Sequence, residues 1–233
     1  MAEEKKATGS KSSVVKKLKA TAAAGAYQKQ WFFDMKARVE REGCDFAILN
    51  ADVPMEIFRA MDIPFVVNQW WAAICGAKRM TRKYAQLMTD NGYRNDLNSY
   101  DAQALAESFD TDDHKLDEEG NPLGPWGGLP KPTISITRLT GDCQSKIFGL
   151  IAQNYGSDLY VIENTVARKT PLNWYELAAD RWEELYDSDR LDAAVEELKA
   201  LISYLERKTG KMMDMNKLKY VMDLVNEQES YYK

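Results

Sequence analysis

Two spacings of apolar residues run along the chain, and they predict two kinds of element. Short apolar runs mark strands, and apolar residues returning every three or four positions mark helices. Over residues 26–42, Tyr27, Trp31, Phe32, Met35 and Val39 form the stripe of an amphipathic helix, and Gly43 is a natural stop. Residues 45–50 read as a short buried strand. Pro54 opens a helix over 55–61, at an early position where its missing N–H costs nothing, and Asp62-Ile63-Pro64 closes it. Residues 65–68 give a second buried strand. One helix is predicted over about 70–91, ending at Gly92, and another over about 99–109. Residues 133–137 alternate as a strand, 142–155 are helical, and 159–163 are a strand.

Strand and helix thus alternate over residues 25–165, which argues for crossover connections. The expected fold is α/β, a Rossmann-like parallel sheet lobe with helices on both faces, followed by a C-terminal helical segment. Beyond Pro171 the pattern is helical only, over 173–187, 189–208 and 214–232. Leu191, Val195, Leu198, Ile202 and Leu205 mark one apolar stripe and Leu218, Val221, Met222 and Val225 another, with Gly210 between them as a C-cap signal. These stripes need a partner surface, either the sheet domain or another subunit. Three regions follow: a flexible basic arm over 1–24, an α/β lobe over 25–170, and linker or interface helices over 171–233. The arm carries six lysines against two glutamates in its first twenty positions. It reads as a solvated tail or as an arm that orders on a partner. The last residues follow directly on an amphipathic helix, so the chain is expected to be one half of something larger.

Composition narrows the function. With 233 residues, 45% of them apolar and 11% aromatic, the chain can bury a core and is not disordered throughout. A net charge of −5 argues against a general nucleic-acid binder. No run of about 18 apolar residues predicts a membrane span, and the N-terminus lacks the apolar segment of a secretory signal. Three scattered cysteines, Cys44, Cys75 and Cys143, suit a reducing cytoplasm. The single histidine, His114, lies in a polar loop, so neither a Ser-His-Asp triad nor a multi-His zinc site is expected. Neither GxGxxG nor a Walker A sequence occurs. Residues 107–119 hold seven acids and one lysine and read as an inserted solvent loop. The turn-rich connector that follows, residues 124–132, contains Trp126, which needs somewhere to pack.

Several segments resemble a known family in the order it uses them. Residues 52–64, DVPMEIFRAMDIP, resemble the "VP-x-E-hydrophobic … A-x-G-hydrophobic-P" segment of the 2-hydroxyacyl-CoA dehydratase / benzoyl-CoA reductase family. Residues 91–100, NGYRNDLNSY, resemble its "aGy..DlCSY". Residues 129–132, LPKP, followed by 141–148, GDCQSKIF, resemble its "lPkPd … CDgq.Kwf". The helices from Trp174 onward, with Asn226-Glu227-Gln228, resemble the linker helices before its second lobe. The resemblance implies a two-lobed subunit in a heterodimer, a [4Fe-4S] cluster held by three cysteines per subunit, and an acyl-CoA thioester substrate. It implies one-electron chemistry fed by an ATP-dependent activator. An α-hydroxy thioester has no acidic β-proton, and an added electron makes a ketyl anion able to expel the hydroxyl. Thiolates suit the iron of such a centre.

The chain departs from that pattern where the sulfur ligands belong. Asn98 stands in place of the "CSY" cysteine, and Gly141 in place of the "CD" cysteine if Asp142 is matched to the aspartate. The expectation is therefore that this chain holds no metal, and that any cluster sits in a partner subunit. Cys75 and Cys143 as rearranged ligands are the alternative, and Cys44 reads as a packed core thiol.

Glu56 matches the family glutamate. It is either a first-turn acid favoured by the helix dipole or a catalytic carboxylate in proton transfer at the acyl group. Gln69, Trp70 and Trp71 follow a strand's carboxyl end, where parallel sheets bind ligands. One tryptophan is expected to pack and the other to line the substrate pocket. Asp142, Gln144 and Lys146 follow the third strand and share that edge, with Asp142 and Lys146 as substrate-binding candidates. Lys78, Arg79, Arg82 and Lys83 form a basic face, either solvated or a phosphate contact. The function expected is a cytoplasmic subunit of a dehydratase-like complex that helps shape an acyl-CoA pocket beside a cluster-bearing partner. The alternatives are a non-catalytic interaction subunit, or an acyl-CoA hydratase or lyase using acid–base chemistry alone.

Overall fold

The computed structural model describes residues 18–94, 98–164 and 171–232. The basic arm lies largely outside these residues, as does the segment 95–97 of the second family motif. Strands β1 (Ala47–Leu49), β2 (Phe65–Val67), β3 (Ile134–Arg138) and β4 (Asp158–Ile162) form a four-stranded sheet in the order β2-β1-β3-β4, parallel throughout. In register, Ile48 lies opposite Val66 on one side and Ser135 on the other.

Strand β1 is buried at all three positions, which requires cover on both faces. Its side chains alternate between the two layers. Ile48 joins Phe46, Val66, Phe32 and Phe148 in one core, and Ala47 and Leu49 join Ile57, Phe58, Ile134 and Leu201 in the other. The first layer is built by α1 (Lys19–Glu42), α3 (Asn68–Ala77), α4 (Thr81–Asp90), α5 (Gln103–Glu107) and α6 (Asp142–Tyr155). The second is built by α2 (Met55–Ala60) and α8 (Ser188–Thr209). The chain leaves β1 toward β2 through α2 on one face. It returns past β1 to β3, and then to β4, through helices on the other face. Opposite directions of travel need opposite faces if every crossover is to keep the same hand. The reversal falls between β1 and β3, so the loops that leave their carboxyl ends turn to opposite faces, the geometry that opens a crevice at this edge of a doubly wound sheet.

The C-terminal stripes find the sheet domain. Helix α8 packs on β4, and α9 (Met215–Ser230) packs on α2. Asp187 caps α8 by accepting from the Arg190 amide at 3.1 Å, and Asp214 caps α9 by accepting from the Asn216 amide at 2.9 Å. A shorter helix, α7 (Trp174–Asp180), precedes them. No helix among the described residues is long and apolar enough to cross a membrane.

Four sequence expectations need correction. The helix over 173–187 shortens to α7, with a separate 3-10 turn over Trp182–Glu184 after it. The helix over 70–91 is two helices, because the chain breaks at Lys78–Met80 with Arg79 at φ +61°. The helix over 99–109 contracts to α5. The stretch 107–119 is not simply a solvent loop, since Glu107, Asp110 and Asp113 are buried within it. Trp126 finds its packing site in an aromatic cluster, with ring centroids 5.4 Å from Phe32 and 5.9 Å from Trp70.

Leu205 is fully buried where α8 meets the sheet. Leu205→Ala is expected to cost about 2–4 kcal/mol, read as a lower urea midpoint with an unchanged slope.

Candidate functional site

The carboxyl ends of β1 and β2 each deliver a polar side chain to the crevice. Asn50 follows β1 directly, and Gln69 sits in the first turn of α3 immediately after β2. Asn98 and Asp101 lie in the turn before α5. These residues knit together. The Gln69 carboxamide donates to Asn50 Oδ1 and, at 3.0 Å, to Asp101 Oδ1. Its own oxygen accepts from the Ala51 amide at 3.0 Å. Asn50 Nδ2 donates to Asp52 Oδ1 at 2.8 Å. Tyr100 closes over the turn, donating its hydroxyl to the Gln69 carbonyl at 2.7 Å. Asn68 is fully buried and donates to the Asp101 carbonyl at 2.9 Å, while its Oδ1 meets no hydrogen-bond partner among the described residues.

The loop from Asn50 through Asp52 leads directly into the first turn of α2, which carries Glu56. That residue lines an apolar groove of about 380 Å³ bounded by α2, α8 and α9. Ile57, Leu198, Ile202, Leu218 and Met222 supply its walls, and Lys199 and Asn226 supply further polar groups. Of the remaining candidates, Asp142 and Lys146 lie on the first turns of α6. Their side chains are 96% and 77% exposed and 4.0 Å apart. Neither touches the Gln69 network. Trp70 and Trp71 both join the aromatic cluster with Phe32 and Trp126. Trp71 is fully buried and Trp70 partly so. The basic residues follow the far end of α3, about 15 Å along that ten-residue helix from its start. Lys83 is paired there with buried Asp110.

Asn98 and Gly141, which stand where the resemblance puts sulfur, offer iron no thiolate. Asn98 Oδ1 accepts from the Asp101 amide at 3.1 Å and its Nδ2 donates to the Asp101 carboxylate, so both ends of the carboxamide are engaged. Gly141 precedes α6 as its N-cap. Cys143 is half-buried against the first core layer. Among the described residues, no group of three or more His, Cys, Asp or Glu is arranged to hold a metal ion. A carboxamide and a glycine do not replace thiolates on iron, so Asn98 and Gly141 are not themselves cluster ligands.

Sequence reasoning missed the buried carboxyl beneath this edge. Glu107 closes α5 and accepts from the Trp71 indole N–H and the Leu129 amide. Burial pushes its carboxyl up to about 8, against the pull of those two donors. Asp113 beside it is also raised, chiefly by burial. Lys36 of α1 donates to the Gly127 and Gly128 carbonyls, and burial lowers its ammonium. Gly128 is obligatory here. It has φ +79°, and a Cβ would run into Asp113 Oδ2 and lie 3.1 Å from Glu107 Oε1.

A doubly wound parallel lobe with polar side chains gathered at the carboxyl edge of its sheet has the arrangement in which α/β folds bind ligands. The family model for the 2-hydroxyglutaryl-CoA dehydratase D-component matches residues 50–233, and the chain belongs to that family of dehydratase-type components acting on acyl-CoA. The match begins at Asn50, the first polar residue of the crevice. No curated protein matches the chain.

The raised carboxyl has a sign. Folded Glu107 binds its proton up to about pH 8, whereas the unfolded chain releases it near 4.5. Stability is therefore complete below the lower value and falls as pH rises through the upper one. Asp113 adds a fall of the same sign. Denaturation midpoints measured between about pH 5 and about pH 9 should decline in the parent chain and flatten in Glu107→Gln. An equal decline in both would assign the effect to other groups.

Proposed function

We propose that the chain is a cluster-free subunit of a 2-hydroxyacyl-CoA dehydratase-type complex, shaping the acyl-CoA pocket while a partner subunit carries the redox centre. The observation that carries this reading is the furnishing of the crevice. Asn98, which stands where the resemblance puts a thiolate, is bonded to Asp101, and Asp101 to Gln69, so that position supports a hydrogen-bonded rim. In this reading the crevice binds and orients the thioester, with the Gln69 carboxamide as the residue nearest its polar part. The acyl group lies in the neighbouring groove, whose aliphatic walls suit a branched or linear apolar chain. Glu56 faces that groove from the first turn of α2, placed to take or return a proton there. Lys146, exposed on α6, is the cation for a coenzyme A phosphate, with Asp142 setting its position. Trp70 and Trp71 act from behind, as the packed wall that fixes the start of α3. The electron and the ATP-dependent activator that supplies it belong to the rest of the complex.

One observation favours a second reading, a non-catalytic interaction subunit. Met215 and Met222 line the same groove and are 64% and 51% exposed, as at an unfilled protein-binding face.

Two measurements on the co-purified complex separate the readings. Titration with a 2-hydroxyacyl-CoA bearing an aliphatic acyl chain, against free coenzyme A as control, should show roughly tenfold weaker binding in Gln69→Ala and in Glu56→Gln, the loss of one polar contact. Unchanged affinity in both variants would leave the interaction reading. Iron and sulfide assayed on the anaerobically purified chain should be far below stoichiometric, and a full cluster on the chain alone would overturn the division of labour.

A further inference from the structure

Two elements run from the crevice to the buried carboxyl. Helix α3 bears Gln69 in its first turn and Trp71 two residues later. Helix α5 is preceded by Asp101 and ends on Glu107. Gln69 and Asp101 are hydrogen-bonded at the crevice, and Trp71 and Glu107 are hydrogen-bonded in the core, so the same two elements are joined at both places. The second oxygen of Glu107 accepts from the Leu129 amide at 2.6 Å and draws in the connector that carries Trp126. Trp126 in turn packs on Trp70, the residue between Gln69 and Trp71.

We propose that Glu107 is a positioning residue for the crevice: by holding Trp71 and the Leu129 amide it sets α3 against α5, and so sets Gln69 against Asp101. It touches no ligand itself. The groups that face it come from every element packed around it. They are Lys36 of α1, Cys75 of α3, Tyr84 of α4, Asp110 and Asp113 of the following loop, and Tyr155 of α6. His114 Nε2 lies 3.2 Å from Asp113 Oδ1. Burial raises Cys75, Tyr84 and Tyr155, so they stay neutral, and Lys36 is the cation nearest the site. Burial, with Asp113, opposes a negative charge on Glu107 more than the Trp71 and Leu129 donors and Lys36 favour it. The neutral acid is the form that keeps the two elements in register, and its loss above about pH 8 is expected to loosen the crevice.

The functional weight of this proposal rests on the acyl-CoA reading, but its test does not. Hydrogen exchange of the full chain, corrected for intrinsic rates, reports the crevice directly. The Ala51 amide donates to Gln69 and the Asp101 amide to Asn98. In the parent chain the exchange of these two amides should accelerate by about tenfold between pH 7 and pH 9, while the amides of β4 and α8 hold their protection. Glu107→Gln should abolish that pH dependence. Trp71→Phe keeps the ring, removes the indole N–H, and should speed the same two amides at neutral pH even if Glu107→Gln folds poorly. Equal acceleration of the crevice, β4 and α8 would reduce Glu107 to a general stabiliser. A persisting pH dependence in Glu107→Gln would likewise overturn the proposal. Acyl-CoA affinity measured beside the exchange keeps the two failures apart, since intact coupling with no binding would reject only the acyl-CoA reading.

Discussion

A strand with no solvent-facing side dictates most of this molecule. Because Ala47, Ile48 and Leu49 are all buried, β1 must have a packed layer above and below it. Helices on both faces follow, and with them the crossovers and the point where the chain reverses direction. That reversal opens a crevice at the carboxyl edge without any special sequence being spent on it. What the sequence adds is the chemistry of the rim. Asn50, Gln69 and Asp101 come from three separate stretches of chain and meet only because the sheet order puts their strands and turns side by side.

The strands were readable because a parallel sheet buried on both faces leaves short apolar runs, and helix α6 was readable to the residue. The break between α3 and α4 was not. Met80 and Tyr84 keep an apolar face beyond the break, and the left-handed position falls on Arg79 rather than on Gly76, the one residue there that signals a stop. The site divided in the same way. Gln69 was visible because its position after a strand is a local fact. Asp101 was hidden because its partner is 32 residues away. Glu107 was hidden by its neighbours, since a run of acids reads as solvated and only a distant indole and a distant backbone amide explain why one of them is buried.

Membership of the dehydratase family fixes an ancestry for the lobe, and the rim shows what this chain has made of it. Carboxamides and carboxylates draw the loops of the rim together through several hydrogen bonds. A rim held in this way leaves its shape dependent on the elements behind it. The aromatic layer of Phe32, Trp70, Trp71 and Trp126 is that backing. It stiffens the first turn of α3 through ring contacts on the side opposite the crevice.

The turn that presents Trp126 is held in tension between two demands. Its backbone sits at φ +51°, a region that costs a bulky residue on the order of 1–2 kcal/mol. A glycine there would relax the main chain and leave a hole the size of an indole among four aromatic neighbours. Another large side chain would keep the strain without matching the rings. Few replacements satisfy both demands, so substitution at this position is confined from two directions.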